Sequence, residues 1–173
     1  MIEAGAVDGA VDTKHDTAFA DFFAQHYERA LRLAMLLEGE PHRAEDAVCD
    51  AFARSYAKWR RGSVTNIDAY LRQAVVNSVR GSWRRRATER KHSAALERQV
   101  HAPDFDRNVA ERDSVWSALR QIAPGQRRVV VLRYYEDLDE REVARLLGIS
   151  VGTVKSQAAK GLAALQELLR GEE

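Results

Sequence analysis

Residues 137–169 read DLDEREVARLLGISVGTVKSQAAKGLAALQELL, and the order of polar, small and apolar residues in this stretch decides the fold. Asp139 can cap a helix, with Glu142 three residues on reaching back to complete a capping box. That helix is expected to bury Val143, Ala144 and Leu147. Gly148 permits a left-handed turn that a Cβ would resist, and Ile149 packs inward across it. Ser150 then caps a second helix, with Val154, Ala158, Leu162 and Leu165 on its inner face.

Two short helices joined by a tight turn containing Gly form the helix-turn-helix pattern. Its second helix would set Ser150, Gly152, Thr153, Lys155 and Ser156 against DNA. Small residues at that end let the backbone come close, and the free N–H groups and positive dipole end suit a phosphate. Plain core packing can produce similar hairpins. The Gly-Ile-Ser turn followed by Thr-Val-Lys favours DNA.

Upstream, Val115, Leu119 and Ile122 keep helical spacing until Pro124-Gly125, and QRRVVVLRYYED (126–137) makes another helix. Around 87–110 the apolar rhythm fades, and ATERKHSAALERQVHAPDFDRN (87–108) reads as a polar linker. The N-terminal half is helical again. Phe19, Phe22, Phe23, Tyr27, Ala30, Leu31 and Ala34 repeat at threes and fours, up to Gly39-Glu40-Pro41. Ala44, Ala47, Val48, Ala51, Phe52, Ser55, Tyr56 and Trp59 form the next stripe, which stops at RRGSVTN (60–66). Thr65 or Asn66 can cap a third helix, 67–86, with Ile67, Leu71, Ala74, Val75, Ser78 and Val79 inside. No strand-like alternation of useful length occurs. The fold expected is all-α, with two small helical domains (17–87 and 111–171) joined by a polar linker (88–110) and preceded by a flexible acidic tail (1–16).

The net charge of +1 hides a segregation. Residues 1–50 carry 4 Lys/Arg against 11 Asp/Glu, while residues 51–92 carry 11 against 2. Separate surfaces for different partners follow, one of them polyanionic. On helix 67–86 the face opposite the apolar stripe carries Arg72, Gln73, Asn77, Arg80 and Arg84, donors for bases and phosphates alike. Beside it Tyr56 and Trp59 stand among Lys58, Arg60 and Arg61, a mixture that suits unstacked single-stranded bases. Their place on the inner stripe equally permits core residues. Trp83 stands among arginines at the edge of the basic face.

Other classes are disfavoured. A single cysteine, Cys49, forms no internal disulfide and no CxxC knuckle, and the five histidines are scattered, so no metal and no cofactor is expected. No apolar run approaches the roughly 20 residues of a membrane span, and MIEAGAVDGAVD is acidic, unlike a signal peptide. A cytoplasmic protein without membrane insertion is expected. A nucleic-acid-processing enzyme would need a metal-binding carboxylate cluster, a nucleophile pair or a phosphate loop. The acids at 136–142 fit a helix cap and a solvated face instead.

Three stretches together resemble the extracytoplasmic-function (group IV) RNA polymerase sigma factors of the sigma-70 superfamily, in their actinobacterial type. AEDAVCDAFARSYAKW (44–59) looks like their polymerase-clamp helix and NIDAYLRQAVVNSVRGSWRRR (66–86) like their minus-10-reading helix. IAPGQRRVVVLRYYEDLDEREVARLLGISVGTVKSQ (122–157) is similar to their minus-35-reading domain. The resemblance implies a transcription initiation factor, not an enzyme, that binds promoter DNA and the largest and second-largest subunits of RNA polymerase core. An anti-sigma protein is a possible further partner. The domain 17–87 would be sigma region 2 and 111–171 sigma region 4. Asp46, Asp50 and Phe52 would dock on polymerase. Trp59, Arg60, Arg61, Asn66, Arg72, Asn77, Arg80 and Arg84 would serve minus-10 DNA, with loop 60–66 capturing an extruded base. Ser150, Gly152, Thr153, Lys155, Ser156 and Lys160 would serve minus-35 DNA. Cys49, Gly81 and Gln157-Ala158 depart from the family's pattern. The competing reading is a stand-alone helix-turn-helix transcriptional regulator, which explains the C-terminal module but not the basic helix with its loop. With so polar a linker, the two domains are expected to be mobile or packed with their DNA faces partly hidden.

Overall fold

A computed structural model describes residues 13–92 and 110–170, and every regular element among them is helical. Three helices form the first half: α1 (Thr13–Glu38), α2 (Pro41–Arg60) and α3 (Ile67–His92). The second half holds α4 (Ala110–Gln121), α5 (Pro124–Val130), a π-helical turn (Val131–Tyr135), α6 (Glu140–Leu147) and α7 (Val151–Arg170). Of the expected tail, residues 1–12 lie outside the described residues, whereas Thr13–Asp16 already belong to α1. Of the expected linker, residues 93–109 lie outside, and α3 runs past its expected end at Arg86.

Each half buries most of the stripe its spacing marks out, though Phe23 and Val115, expected on the inner faces, are exposed. Leu37, Val48, Val75, Val76 and Val79 are fully buried among α1–α3, and Val129, Val131, Leu132, Val143 and Val154 among the later elements. Each such side chain contributes about 1.5–3 kcal/mol relative to leaving it exposed. An aromatic cluster closes the first bundle. Phe22 stacks near Trp59 with centroids 6.1 Å apart, and Phe19 meets the edge of Tyr56 at 5.0 Å. Pro41 opens α2, where its missing N–H costs nothing, and the Glu40 side chain accepts from His42 N.

Two local expectations are corrected. The run expected as one helix over 126–137 breaks into α5 and the π turn, with Glu136 N donating to Val131 O at 3.1 Å and Leu138 N to Leu132 O at 3.1 Å. Asp137 takes the left-handed conformation there (φ 52°), which Asp tolerates better than most residues. In α6 Leu146 is buried and Leu147 only partly so, and in α7 Leu162 is exposed while Gly161 is buried. The reason is a close approach of α7 to α5. A Cβ at Gly161 would come within 2.7 Å of Val130 Cγ2 and 3.2 Å of Gln126 Cβ. Gly161→Val is therefore expected to cost about 1–3 kcal/mol through overpacking, read as a lower denaturant midpoint at unchanged slope.

Candidate nucleic-acid interface

The helix-turn-helix is built by local capping. Asp139 Oδ1 accepts from Glu142 N at 2.8 Å and Glu142 Oε2 accepts from Asp139 N at 3.0 Å, closing the capping box. Gly148 adopts φ 66°, ψ 42° and ends α6, and Ser150 Oγ accepts from Thr153 N at 3.1 Å to start α7. Val154, fully buried, fixes the rotation of α7. Ser150, Gly152, Lys155, Ser156 and Lys160 are exposed, and Thr153 is half-buried with its Oγ1 2.8 Å from Ser150 Oγ. Glu140, one of the acids at 136–142 expected on a cap and solvated face, lies with Oε2 3.6 Å from Lys155 Nζ and partly neutralises it.

The basic face of α3 divides in two. Asn77 and Arg84 are exposed, and Gln73 Nε2 donates to Asn77 Oδ1 at 3.2 Å. Arg72 and Arg80 are instead engaged by the second half of the chain. Arg72 Nη1 lies 3.6 Å from Glu136 Oε2, and Arg80 Nη1 donates to Leu146 O at 3.2 Å. Arg80 also fills the space beside the helix-turn-helix turn, where a Cβ on Gly148 would sit 2.2 Å from its Nη2.

In the adjoining loop Arg60, Arg61 and Asn66 are exposed. Asn66 Oδ1 accepts from Ala69 N at 2.9 Å, so Asn66 caps α3 and Thr65 does not. Trp59 is a correction, because its ring packs on Phe19 and Phe22 inside the bundle rather than on the basic surface. Tyr56 is likewise held inward, its hydroxyl donating to Asp16 Oδ1 at 2.5 Å. That hydrogen bond raises the hydroxyl's pKa. Trp83 lies under the Arg128 guanidinium of α5, 3.2 Å from the ring centroid.

On α2 the acidic candidates also part. Asp46 is exposed. Asp50 bridges α2 to α3, accepting from Ser78 Oγ at 2.7 Å and pairing with Arg54 at 2.9 Å. Phe52 is a second correction. It is 4 % exposed and packs on Phe22 and Phe23, so it supports the helix instead of presenting a surface. Among the described residues no helix is long and apolar enough to cross a membrane.

Comparison with known proteins places both halves. Residues 22–89 match the family Sigma-70 region 2, and residues 112–165 match Sigma-70, region 4. The chain is 35 % identical over 152 residues to the RNA polymerase sigma-E factor of Streptomyces coelicolor, spanning 87 % of this chain and 85 % of that protein. It is 30 % identical over 155 residues to the ECF RNA polymerase sigma factor SigM of Mycobacterium tuberculosis, spanning 88 % and 77 %. In fold it is similar to the sigma factor RpoE of Bartonella quintana, solved with the anti-sigma factor NepR. There the TM-score is 0.68 at 22 % identity, covering 90 % of this chain and 99 % of the other.

Proposed function

The chain belongs to the sigma-70 family, in its extracytoplasmic-function group, and directs promoter-specific transcription initiation; we propose how its residues divide that work. Residues 17–87 act as region 2, which joins RNA polymerase core and minus-10 DNA, and residues 111–171 act as region 4, which reads minus-35 DNA. The chain acts by binding and supplies no catalysis of its own. The observation that carries this division is the exposed row Ser150, Gly152, Lys155 and Ser156 on the second helix of a fully capped helix-turn-helix.

Region 4 would read minus-35 base edges through Lys155 and the small residues beside it, with Lys160 on phosphate. Region 2 would contact polymerase through Asp46 and minus-10 DNA through Asn77 and Arg84, with Arg60, Arg61 and Asn66 flanking the extruded base. Arg72 and Arg80 join that set once region 4 is withdrawn from them. An anti-sigma protein is proposed as a further partner, as in the RpoE–NepR complex. In vitro transcription with core polymerase tests the reading. A promoter-specific transcript is expected only when the chain is added. Nanomolar, sequence-specific binding to duplex promoter without polymerase, and no transcript with it, would favour a stand-alone regulator.

A further inference from the structure

We propose that His26 is a positioning residue for promoter opening: it ties α1 to the start of α3 and so fixes the span of loop 60–66. This rests on the reading of that loop as the segment that holds an extruded base.

The loop leaves α2 at Arg60 and enters α3 at Ile67. Its first half folds back on α2, with Gly62 N donating to Trp59 O at 2.9 Å and Ser63 N to Lys58 O at 3.4 Å. Its last residue, Asn66, is bound to α3 as the cap. The distance between those two anchors is therefore set by how the end of α2 and the start of α3 are held. The Ser78–Asp50 hydrogen bond joins the same two helices, but Ser78 lies about three turns along α3 from the loop.

One stretch of α1 reaches both anchors. Phe22 lies against Trp59 in the last turn of α2, with ring centroids 6.1 Å apart. His26, one turn further along α1, stacks on Phe22 at 4.2 Å. The imidazole then crosses to α3. Its Nδ1 donates to Phe22 O at 2.8 Å, and its Nε2 lies 2.7 Å from Asp68 Oδ1, so both ring nitrogens are engaged and the ring is held in one orientation. Asp68 stands in the first turn of α3, two residues after the cap, and His26, Asn66 and Asp68 line one cleft. Trp59, Phe22, His26 and Asp68 thus form a continuous strut from one end of the loop to the other.

The strut contributes little to global stability. The Asp68 side chain is 63 % exposed, and ion pairs so open to water are worth little. Its weight falls on the loop. Ends held at a fixed separation leave the loop ordered before the base arrives, and preorganisation of this kind strengthens capture. Without the strut the ordering would fall at the capture step itself. One further backbone residue to be ordered there would slow opening about tenfold. Closed-complex formation precedes extrusion and does not call on the loop's span.

The experiment uses the full chain with core polymerase, on a promoter from which the wild type gives a transcript. Closed-complex affinity and permanganate reactivity of promoter thymines are measured side by side. His26→Phe keeps a stacked ring but loses both polar contacts, whereas the amide of His26→Gln can still donate to Asp68. A chain with Ser63, Val64 and Thr65 replaced together reports on the loop. His26→Phe should open DNA about tenfold more slowly at unchanged closed-complex affinity, with little change in melting temperature, and His26→Gln should recover most of the loss. Asp68→Ala should slow opening as well, and the double variant no further than the slower single one, as two halves of one contact require. If His26→Phe does not fold, Asp68→Ala beside His26→Gln carries the same test. Affinity and opening that fall in parallel, or equal defects in the Phe and Gln variants, would make His26 a packing residue and overturn the proposal. Wild-type opening in His26→Phe beside slow opening in the loop variant overturns the proposal alone. Wild-type opening in the loop variant overturns the reading of the loop, and the strut's role with it.

Discussion

Asp46→Lys is expected to weaken association with RNA polymerase core by about thirtyfold, the equivalent of about 2 kcal/mol, because a like charge set into a complementary interface costs on that scale. Asp46 is exposed on α2, within residues 1–50 where 11 acids stand against 4 basic residues, so a basic partner surface is implied. Thermal unfolding should not change, since the side chain is solvated in the free protein. Asp50→Lys behaves differently. It removes the acceptor of Ser78 between α2 and α3 and the partner of Arg54 within α2, so it lowers stability as well as affinity. A quantitative pull-down beside a melting curve separates the two. Wild-type core affinity in Asp46→Lys would move the polymerase surface off this helix.

The second large effect belongs to promoter opening. Extruding one base breaks two stacking steps of about 1.4 kcal/mol each. A protein that loses its means of holding the base would therefore open DNA up to about a hundredfold more slowly. Replacing Ser63, Val64 and Thr65 together should do this while leaving closed-complex formation intact. Asn66 is left in place because it caps α3, and its loss would cost about 1 kcal/mol of helix stability by itself. With Tyr56 and Trp59 turned into the bundle, capture must rely on the exposed loop backbone and polar groups rather than on aromatic stacking. Permanganate reactivity of promoter thymines is the readout. Wild-type reactivity in the triple variant would reduce the loop to a connector.

The parts legible in the sequence were those governed by short-range rules. The capping box at Asp139, the left-handed Gly148 and the cap at Ser150 each depend on residues within three or four positions, and each stands where expected. Helical periodicity likewise located α1, α2 and the start of α3. Long-range partners were not legible. Asp46 and Asp50 are one helical turn apart and indistinguishable by spacing, yet Ser78, 28 residues away, engages only the second. Nothing local marks Gly161 as the point where α7 meets Val130, so Leu162 took its place on the expected inner face. Glu136 read as one more solvated acid among those at 136–142. Its burial comes from Arg29 and Arg72, 107 and 64 positions upstream, and no periodicity reports such a pairing.

The π turn before Glu136 has a consequence for how chain length relates to behaviour. A π turn holds one residue more than the α turn it replaces, so it is equivalent to a single-residue insertion in an otherwise regular helix. Each residue of an α-helix turns the chain by about 100°. Deleting one position within Val131–Tyr135 would restore the α-helical ladder and swing the following side chain off the bearing that meets Arg29 and Arg72. With Val131, Leu132, Tyr134 or Tyr135 as the position removed, net charge and the proposed DNA-facing residues are conserved. A one-codon length change, which substitution scans never sample, is thus expected to unseat Glu136 from Arg29 and Arg72 and loosen the contact between the two halves.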